Sequence, residues 1–512
     1  MSRHFAGPCF RASVVRDLDR RSADAQGLSE FDLMERAGVA AFKHLRNLWP
    51  RAQRVAVFCG TGNNGGDGWI IARLLRESGL NAEVFVFGAL EKITGAARLA
   101  YDAWFDMAQQ SPNSSDDWLA LAQPSTEYDL IVDALVGIGF RGPARPDFSE
   151  LVDAVNRATI PVLSLDVPSG LNADTGALEG STVAAHATIT FIAMKPGLLT
   201  GRARDFVGDL TLEPLGTPSS LIDSAQIVAT SWASDLPHEF LHPRRPSAHK
   251  GNYGHVLVVG GNVGMGGASI LAASAALRGG AGLVTLATRS AHLAAALARH
   301  PEVMAHNIDL PEALRPLLQG ASTVVIGPGL GVDDWSRSCF RLALESAKPL
   351  VIDADGLNLL ATDSSLSHLS QESVLTPHPG EAARLAGVSV SNIESDRLYW
   401  AKSLADQYGS TVILKGAGSV IASHDDGSIP HICSAGNPGM ASGGMGDVLA
   451  GLVGALMGQG FAASKAALGG VIAHATAGDQ AWREHGIGLT ATDVTSYLGA
   501  ILTTDLSDKA SR

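Results

Sequence analysis

Ser434–Asp447 reads Ser-Ala-Gly-Asn-Pro-Gly-Met-Ala-Ser-Gly-Gly-Met-Gly-Asp and runs straight into the apolar stretch Val448-Leu-Ala-Gly-Leu-Val453. A glycine run that opens a helix leaves backbone N–H groups free for an anion, and the helix dipole adds positive potential there. Asp447, in the first turn, is placed to take a proton from a hydroxyl while the Gly443–Gly446 amides steady a transferring phosphoryl group. Close helix packing, with Asp447 as a cap, explains a solitary GxGD better. The motifs that accompany this one favour phosphate chemistry.

A second glycine loop lies in Val55-Ala-Val-Phe-Cys-Gly-Thr-Gly-Asn-Asn-Gly-Gly-Asp-Gly68. Gly60, Gly62 and Gly65 match the GxGxxG dinucleotide fingerprint between an expected strand and an expected helix. The acid that should bind ribose is missing, because the next strand ends in Gly88, which disfavours a hydride-transferring dehydrogenase. A nucleotide-shaped ligand over the helix start remains. A tight turn alone accounts for the glycines but not for Asn63, Asn64 and Asp67. Asp133, followed by Gly137-Ile-Gly-Phe-Arg-Gly-Pro143, and Asp166, followed by Pro168 and Ser169, bring polar groups to the same sheet edge. Taken singly, each of these acids could be a structural cap.

The second half carries a comparable series: Lys250–Gly261 with Met265–Ser269, Gly327-Pro-Gly-Leu-Gly331, Asp353-Ala-Asp-Gly-Leu357, Thr376-Pro-His-Pro-Gly-Glu381 and Lys415-Gly-Ala-Gly-Ser419. Each follows an apolar β-rich run, so each can reach one crevice at the C-terminal edge of one sheet. Individually they are weak; GPGLG can be a turn, His378 a capping histidine, and Lys415 a solvated hairpin lysine.

Positioning these groups requires strands alternating with helices, the signature of parallel α/β architecture. Strands are expected at Arg54–Cys59, Ala82–Phe87, Leu130–Ala134, Pro161–Asp166 and Ala187–Ile192, with helices near Ser29–Leu48, Trp69–Ser78, Gly95–Gln109 and Phe148–Arg157. The periodicity fades between Leu215 and Pro246, the expected domain junction. It restarts with strands at Gly254–Gly260, Leu283–Thr288, Thr323–Ile326, Leu350–Asp353, Ser373–Thr376, Thr411–Leu414 and Ser419–Ala422, and a helix at Ala268–Leu277. The domains expected are 1–230, Rossmann-like and three-layered, and 231–512, also three-layered.

The 512 residues are too many for one ordinary domain. A net charge of −13 argues against a general nucleic-acid or anionic-membrane surface. Cys9, Cys59, Cys339 and Cys433 form no CxxC pair, so neither a disulfide framework nor a zinc site is supported. With no apolar leader at the N-terminus, a cytoplasmic protein is expected.

GTGNNGGDG, VDALVGIGFRG and LDVPSGLNADTG, preceded by Phe31–Gly38, resemble the NAD(P)H-hydrate epimerase domain over residues 10–225. The resemblance implies that Asn63, Asn64, Gly65, Gly66 and Asp67, with Gly137, Ile138, Gly139, Phe140, Arg141, Gly142 and Pro143, hold the dinucleotide. It further implies that Asp166 acts at the nicotinamide and that Asn64, Asp133 and Ser169 ligate K+. Oxygen ligands suit a hard cation. Residues 240–505 resemble the nucleotide-dependent NAD(P)H-hydrate dehydratase domain, of the ribokinase-like group. This second resemblance implies hydrate contacts at Ala268, Gly329, His378 and Asp447. It places the nucleotide along Lys415, Gly416, Ala417, Gly418 and Ser419 and at Gly446, with Mg2+.

Fused in this order, the two domains resemble bacterial bifunctional enzymes, which favours ADP over ATP. The substrates implied are NADHX and NADPHX, the hydrates of NADH and NADPH, and a homo-oligomer is expected. The competing reading is a ribokinase-like small-molecule kinase whose N-terminal domain binds or regulates without catalysis.

Overall fold

In the computed structural model, parallel strands of the first half pair in the order Asn113–Ser114, Asn81–Val86, Arg54–Cys59, Leu130–Ala134, Val162–Leu165, Ala187–Phe191, Asp209–Glu213. The chain runs outward from Arg54–Cys59 in one direction, then returns to its other side, so a crevice opens at the C-terminal end of that strand. Residues 5–121, 127–234, 236, 240, 244–362, 369, 372–425 and 427–503 are described. They divide into two units, Met1–Ser231 and Trp232–Arg512. Part of the expected junction, at 235, 237–239 and 241–243, lies outside the described residues.

Strand alternation explains why both faces of this sheet are covered. Val55, Val57, Val132 and Leu163 pack with Ala37, Ala41 and Leu45 of helix Glu30–Leu48 and with Ile70 and Ile71 of helix Asn63–Glu77. Ala56, Phe58, Ile131 and Val162 face the other way, against Phe148, Leu151 and Val155 of helix Pro146–Arg157. Each fully buried Val, Leu, Ile or Phe among them contributes about 1.5–3 kcal/mol relative to exposure.

In the second unit the order is His431–Cys433, Ser419–Ser423, Thr411–Leu414, Ser373–Leu375, Leu350–Ile352, Thr323–Ile326, His255–Val259, Leu283–Thr288, Met304–Asn307. Pairing is parallel from Thr411–Leu414 to Met304–Asn307, and the strands before it in that order form antiparallel hairpins. Val256, Val258, Val325 and Val351 pack against Ala272, Ala276, Leu449 and Val453 from helices Gly266–Arg278 and Met445–Gly458. Leu257, Val259, Val324 and Ile326, on the opposite face, are fully buried too. Both units are therefore three-layer α/β structures.

The expected strands are present, each end within one residue of the expected position. One helix differs in kind: it begins at Asn63, not Trp69, so the glycines form its first turn. A Cβ on Gly66 would lie 2.4 Å from Met34 Sδ, and one on Gly68 would lie 2.6 Å from Ala134 Cβ. Close packing against the sheet and the neighbouring helix overrides glycine's poor helix propensity. Helix Ala12–Gln26 and strand Asp209–Glu213 are additions to the expected elements. Among the described residues no helix is long and apolar enough to cross a membrane, and all four cysteines are buried and none forms a disulfide.

Candidate active sites

Gly60 ends the first strand of the N-terminal sheet, and a Cβ there would lie 2.0 Å from Leu135 O; one on Gly65 would lie 1.9 Å from Gly60 O. Only glycine permits a turn this tight. Gly62 N-caps the helix with no side-chain cap, so its first N–H groups stay available to a ligand. A cavity of about 680 Å³ opens beside them, lined by Asn63, Asn64, Asp67, Gly137, Ile138, Gly139 and Asp166 together with Asp19, Lys195, Arg16, Lys92 and Arg145. That volume suits a nucleotide-sized ligand.

Asp166 turns the chain at a strand end with φ +63, a left-handed conformation costing about 1–3 kcal/mol in a non-glycine residue. Its carboxylate is held from two elements. Oδ2 accepts from Ile138 N at 3.1 Å, while Oδ1 accepts from Lys195 Nζ at 2.6 Å and from Thr190 Oγ1 at 3.3 Å.

Asp133 is buried at the neighbouring strand end. Its carboxylate accepts from Ser169 Oγ (2.6 Å), Ser169 N (2.9 Å) and Ser164 Oγ (2.7 Å). Burial raises its pKa, with those hydrogen bonds opposing. Ser169 Oγ also lies 3.1 Å from Val136 O. Asn64 joins this edge once its amide is oriented so that Oδ1 accepts from Gly137 N and Nδ2 donates to Leu165 O.

Some residues expected at this site do not line the cavity. Gly65 and Gly66 pack beneath it, Phe140 stacks on Phe148 with ring centroids 5.8 Å apart, and Arg141, Gly142 and Pro143 lie beyond its wall.

In the second unit, Gly444 N-caps helix Met445–Gly458 with φ +90, and Asp447 lies in the first turn. A Cβ on Gly446 would lie 3.1 Å from Lys415 Nζ and 3.7 Å from Asp353 Oδ2, which brings three motifs together. Lys415 is no solvated hairpin lysine: its Nζ lies 2.7 Å from Asp353 Oδ1 and 3.8 Å from Glu381 Oε2. Asp353 Oδ1 also accepts from Thr376 Oγ1 at 2.7 Å. Burial raises the Asp447 carboxyl to about 7, with Asp353 adding to the rise and Lys415 opposing it.

His378 N-caps helix Pro379–Ala386; Nδ1 accepts from Gly380 N at 2.9 Å, which assigns the proton of the neutral ring to Nε2. Burial and then Lys415 hold its pKa down, favouring that neutral form. Ala268 and Gly329 abut, since a Cβ on Gly329 would lie 3.2 Å from Ala268 Cβ. Gly331 N donates to Asp355 Oδ2 at 2.8 Å, tying the Gly327–Gly331 loop to the acidic strand end.

Lys415–Ser419 is a turn closed by Ser419 Oγ, which donates to Gly416 O at 3.0 Å. Arg397, buried, buttresses it by donating to Leu414 O (3.1 Å) and Lys415 O (2.9 Å).

Asp19, Lys195 and Arg397 thus join the sites without having been singled out in the sequence, while Asp353 and Glu381 come from motifs expected at this crevice. A lysine inside the apolar run Phe191–Met194 and Pro196–Leu199 was the one available signal for Lys195.

The family described as "YjeF-related protein N-terminus" matches residues 30–197, and the family described as "NAD(P)H-hydrate dehydratase" matches residues 256–499. The bifunctional NAD(P)H-hydrate repair enzyme of Escherichia coli is 44% identical over 97% of this chain and 94% of that protein. Its counterpart from Coxiella burnetii is 43% identical over 96% of this chain and 99% of that protein. Among solved structures, a ribokinase-like superfamily protein from Enterococcus faecalis aligns at 28% identity over 53% of this chain and 94% of that one, with a TM-score of 0.49. With both halves matched and the relatives aligned nearly end to end, the chain belongs to the bifunctional NAD(P)H-hydrate repair enzyme family.

Proposed function

We propose that this chain interconverts the two C6 epimers of NADHX and NADPHX in its N-terminal unit and dehydrates one of them to NADH or NADPH in its C-terminal unit, using ADP. The observation carrying this reading is that each unit brings one carboxylate, Asp166 or Asp447, to a helix N-terminus at a sheet edge.

In the N-terminal unit the electron pair of the ring nitrogen forms C6=N as the C6–O bond breaks. The departing oxygen takes a proton and leaves as water. Water returns to the other face and gives a proton back, so nothing is consumed, and Asp166 is the group placed to carry the proton. Asn64, Asp133 and Ser169 would hold potassium; the carboxylate, hydroxyl and amide oxygens they offer suit a hard cation. When bound, the ion supplies fixed positive charge beside the Val136–Gly139 loop.

In the C-terminal unit Asp447 removes the proton of the C6 hydroxyl, whose oxygen takes the terminal phosphoryl group of ADP and releases AMP. The Gly443–Gly446 amides face the migrating charge. Electrons from the ring nitrogen then expel phosphate, and loss of a C5 proton restores the dihydronicotinamide. Magnesium, bound with the nucleotide, supplies charge that screens its phosphates. Among the described residues no three or more His, Cys, Asp or Glu side chains form a ready metal cage. The nucleotide's phosphates would therefore be the ion's main ligands, with Asp353 or Asp355 the carboxylates that could add to them.

Product analysis separates this reading from a small-molecule kinase. With hydrate and ADP, equimolar phosphate, AMP and reduced dinucleotide are expected. A stable phosphorylated product without reduced dinucleotide would favour the kinase.

A further inference from the structure

Lys195 follows strand Ala187–Phe191, and its side chain is 1% exposed. Its ammonium makes three hydrogen bonds, to Asp166 Oδ1 at 2.6 Å, Thr190 Oγ1 at 2.8 Å and Phe191 O at 2.9 Å. Three donors meet three acceptors, so the cation is fully committed. Burying a lysine costs desolvation that an apolar side chain of similar length would avoid. Packing alone therefore does not account for a charge here.

That commitment decides what Asp166 can do. With Oδ1 taken by Lys195 and Thr190, and one lone pair of Oδ2 taken by Ile138 N, the other lone pair of Oδ2 is left as acceptor. Oδ2 lies over Gly137, where a Cβ would come within 2.7 Å of it. Gly137 and Asp166 both line the cavity.

We propose that Lys195 is the positioning residue of the epimerase, locking Oδ1 of Asp166 so that Oδ2 alone exchanges protons with the C6 oxygen. This rests on Asp166 being the epimerase acid–base group. The proton goes to the C6 oxygen as its bond to carbon breaks, and returns to Oδ2 when water adds to the opposite face; no other co-reactant is needed.

The other ionisable groups around Asp166 fit this asymmetry. Asp19, Asp67 and Arg16 line the same cavity. Burial pushes Asp19 up to about 7, with Lys195 opposing and Asp166 adding, and burial followed by Asp166 raises Asp67 well above the carboxylate range. Of the three acids, Asp166 is the one in contact with Lys195.

The test is epimer exchange by the full-length chain as a function of pH, in Lys195→Met and Thr190→Val, with thermal unfolding of each preparation followed by near-ultraviolet circular dichroism as the folding control. For Lys195→Met we expect kcat to fall by about 100-fold or more with KM within about twofold. The basic limb of its kcat/KM profile, set by loss of the proton that Asp166 must donate first, should move up by at least about one pH unit as the carboxylate loses its cation. Thr190→Val, which removes one hydrogen bond from each partner, should move the limb the same way by less, and it decides the question if Lys195→Met does not fold. An unmoved basic limb in the variants that fold overturns the proposal, even with a lower rate, because it marks a purely structural role. Asp166→Asn in the same assay keeps the two readings apart. Exchange at the parent rate would refute the epimerase role of Asp166 itself, whereas an inactive Asp166→Asn beside unmoved profiles refutes only the role of Lys195.

Discussion

Lys415 and Asp353, from two different strand ends, form a 2.7 Å ion pair directly beside the helix start that carries Asp447. The pair sets the charge of the dehydratase site before any ligand arrives. Asp353 and Glu381 hold Lys415 above its ordinary pKa against the effect of burial, which is the largest single influence and runs the other way. The cation therefore stays protonated and opposes the acids that raise Asp447.

Lys415→Met should leave Asp353 buried without its counter-ion. Removing one partner of a buried pair costs about 3–5 kcal/mol, and because Lys415 is partly exposed the lower end is expected, near 3 kcal/mol. Chemical denaturation should show that loss. The KM for ADP should rise by about tenfold or more, as for a lost charge-assisted contact. Unchanged stability and nucleotide KM would contradict both roles.

Asp447→Asn should reduce nucleotide-driven dehydration by about 10²–10⁴-fold, the usual contribution of a positioned base. Epimer exchange in the same protein should persist, because the other unit supplies its own carboxylate. Dehydration within a few-fold of the parent would remove Asp447 from the base role.

The pH dependence follows from the same residue. A base must be unprotonated to act, so a pKa raised to about 7, by burial first and Asp353 second, makes dehydration fall as pH drops through about 7. Above that pH it should level off. An aspartate at its ordinary value of 3.8 would stay active well below neutrality. A kcat/KM profile for dehydration that is flat from about pH 5 to 8 would show that Asp447 titrates normally or is not the base.

Replacing potassium with a large organic cation should slow epimer exchange and leave dehydration unchanged, and Asp133→Ala should do the same. The expectation rests on the clustered oxygens of Asp133, Ser169 and Val136. Equal exchange rates in potassium-free and potassium buffers would exclude the ion from the site.

How far a residue is legible in the sequence depends on whether its surroundings are local. Strands such as Leu130–Ala134 are legible because a short apolar β-branched run bounded by polar turns has few other solutions. Asp447 is legible because it sits beside glycines at an expected element boundary, and Asp166 because it ends an expected strand with Pro168 and Ser169 behind it. Helix Ala12–Gln26 is not, since it is rich in charged residues and begins at Arg11 without a side-chain cap. The early start of the helix at Asn63 also escapes sequence reasoning, because it is set by contacts with Met34 and Ala134 that are distant along the chain. Lys195, and the pairing of Asp353 with Lys415, belong to the same class: the partners of the two pairs lie 29 and 62 residues apart. Nothing in the local pattern announces either pair.

The most direct test of the central claim is a chirally resolved time course of both hydrate epimers with ADP and magnesium. It should be run on the full-length chain and on its Asp166→Asn and Asp447→Asn variants, in a pool too slow to equilibrate unaided. The parent should convert both epimers completely to reduced dinucleotide. Asp166→Asn should consume one epimer and leave the other, and Asp447→Asn should equilibrate the two without consuming either. Consumption of both epimers at equal rates by Asp166→Asn would contradict the division of labour between the two units.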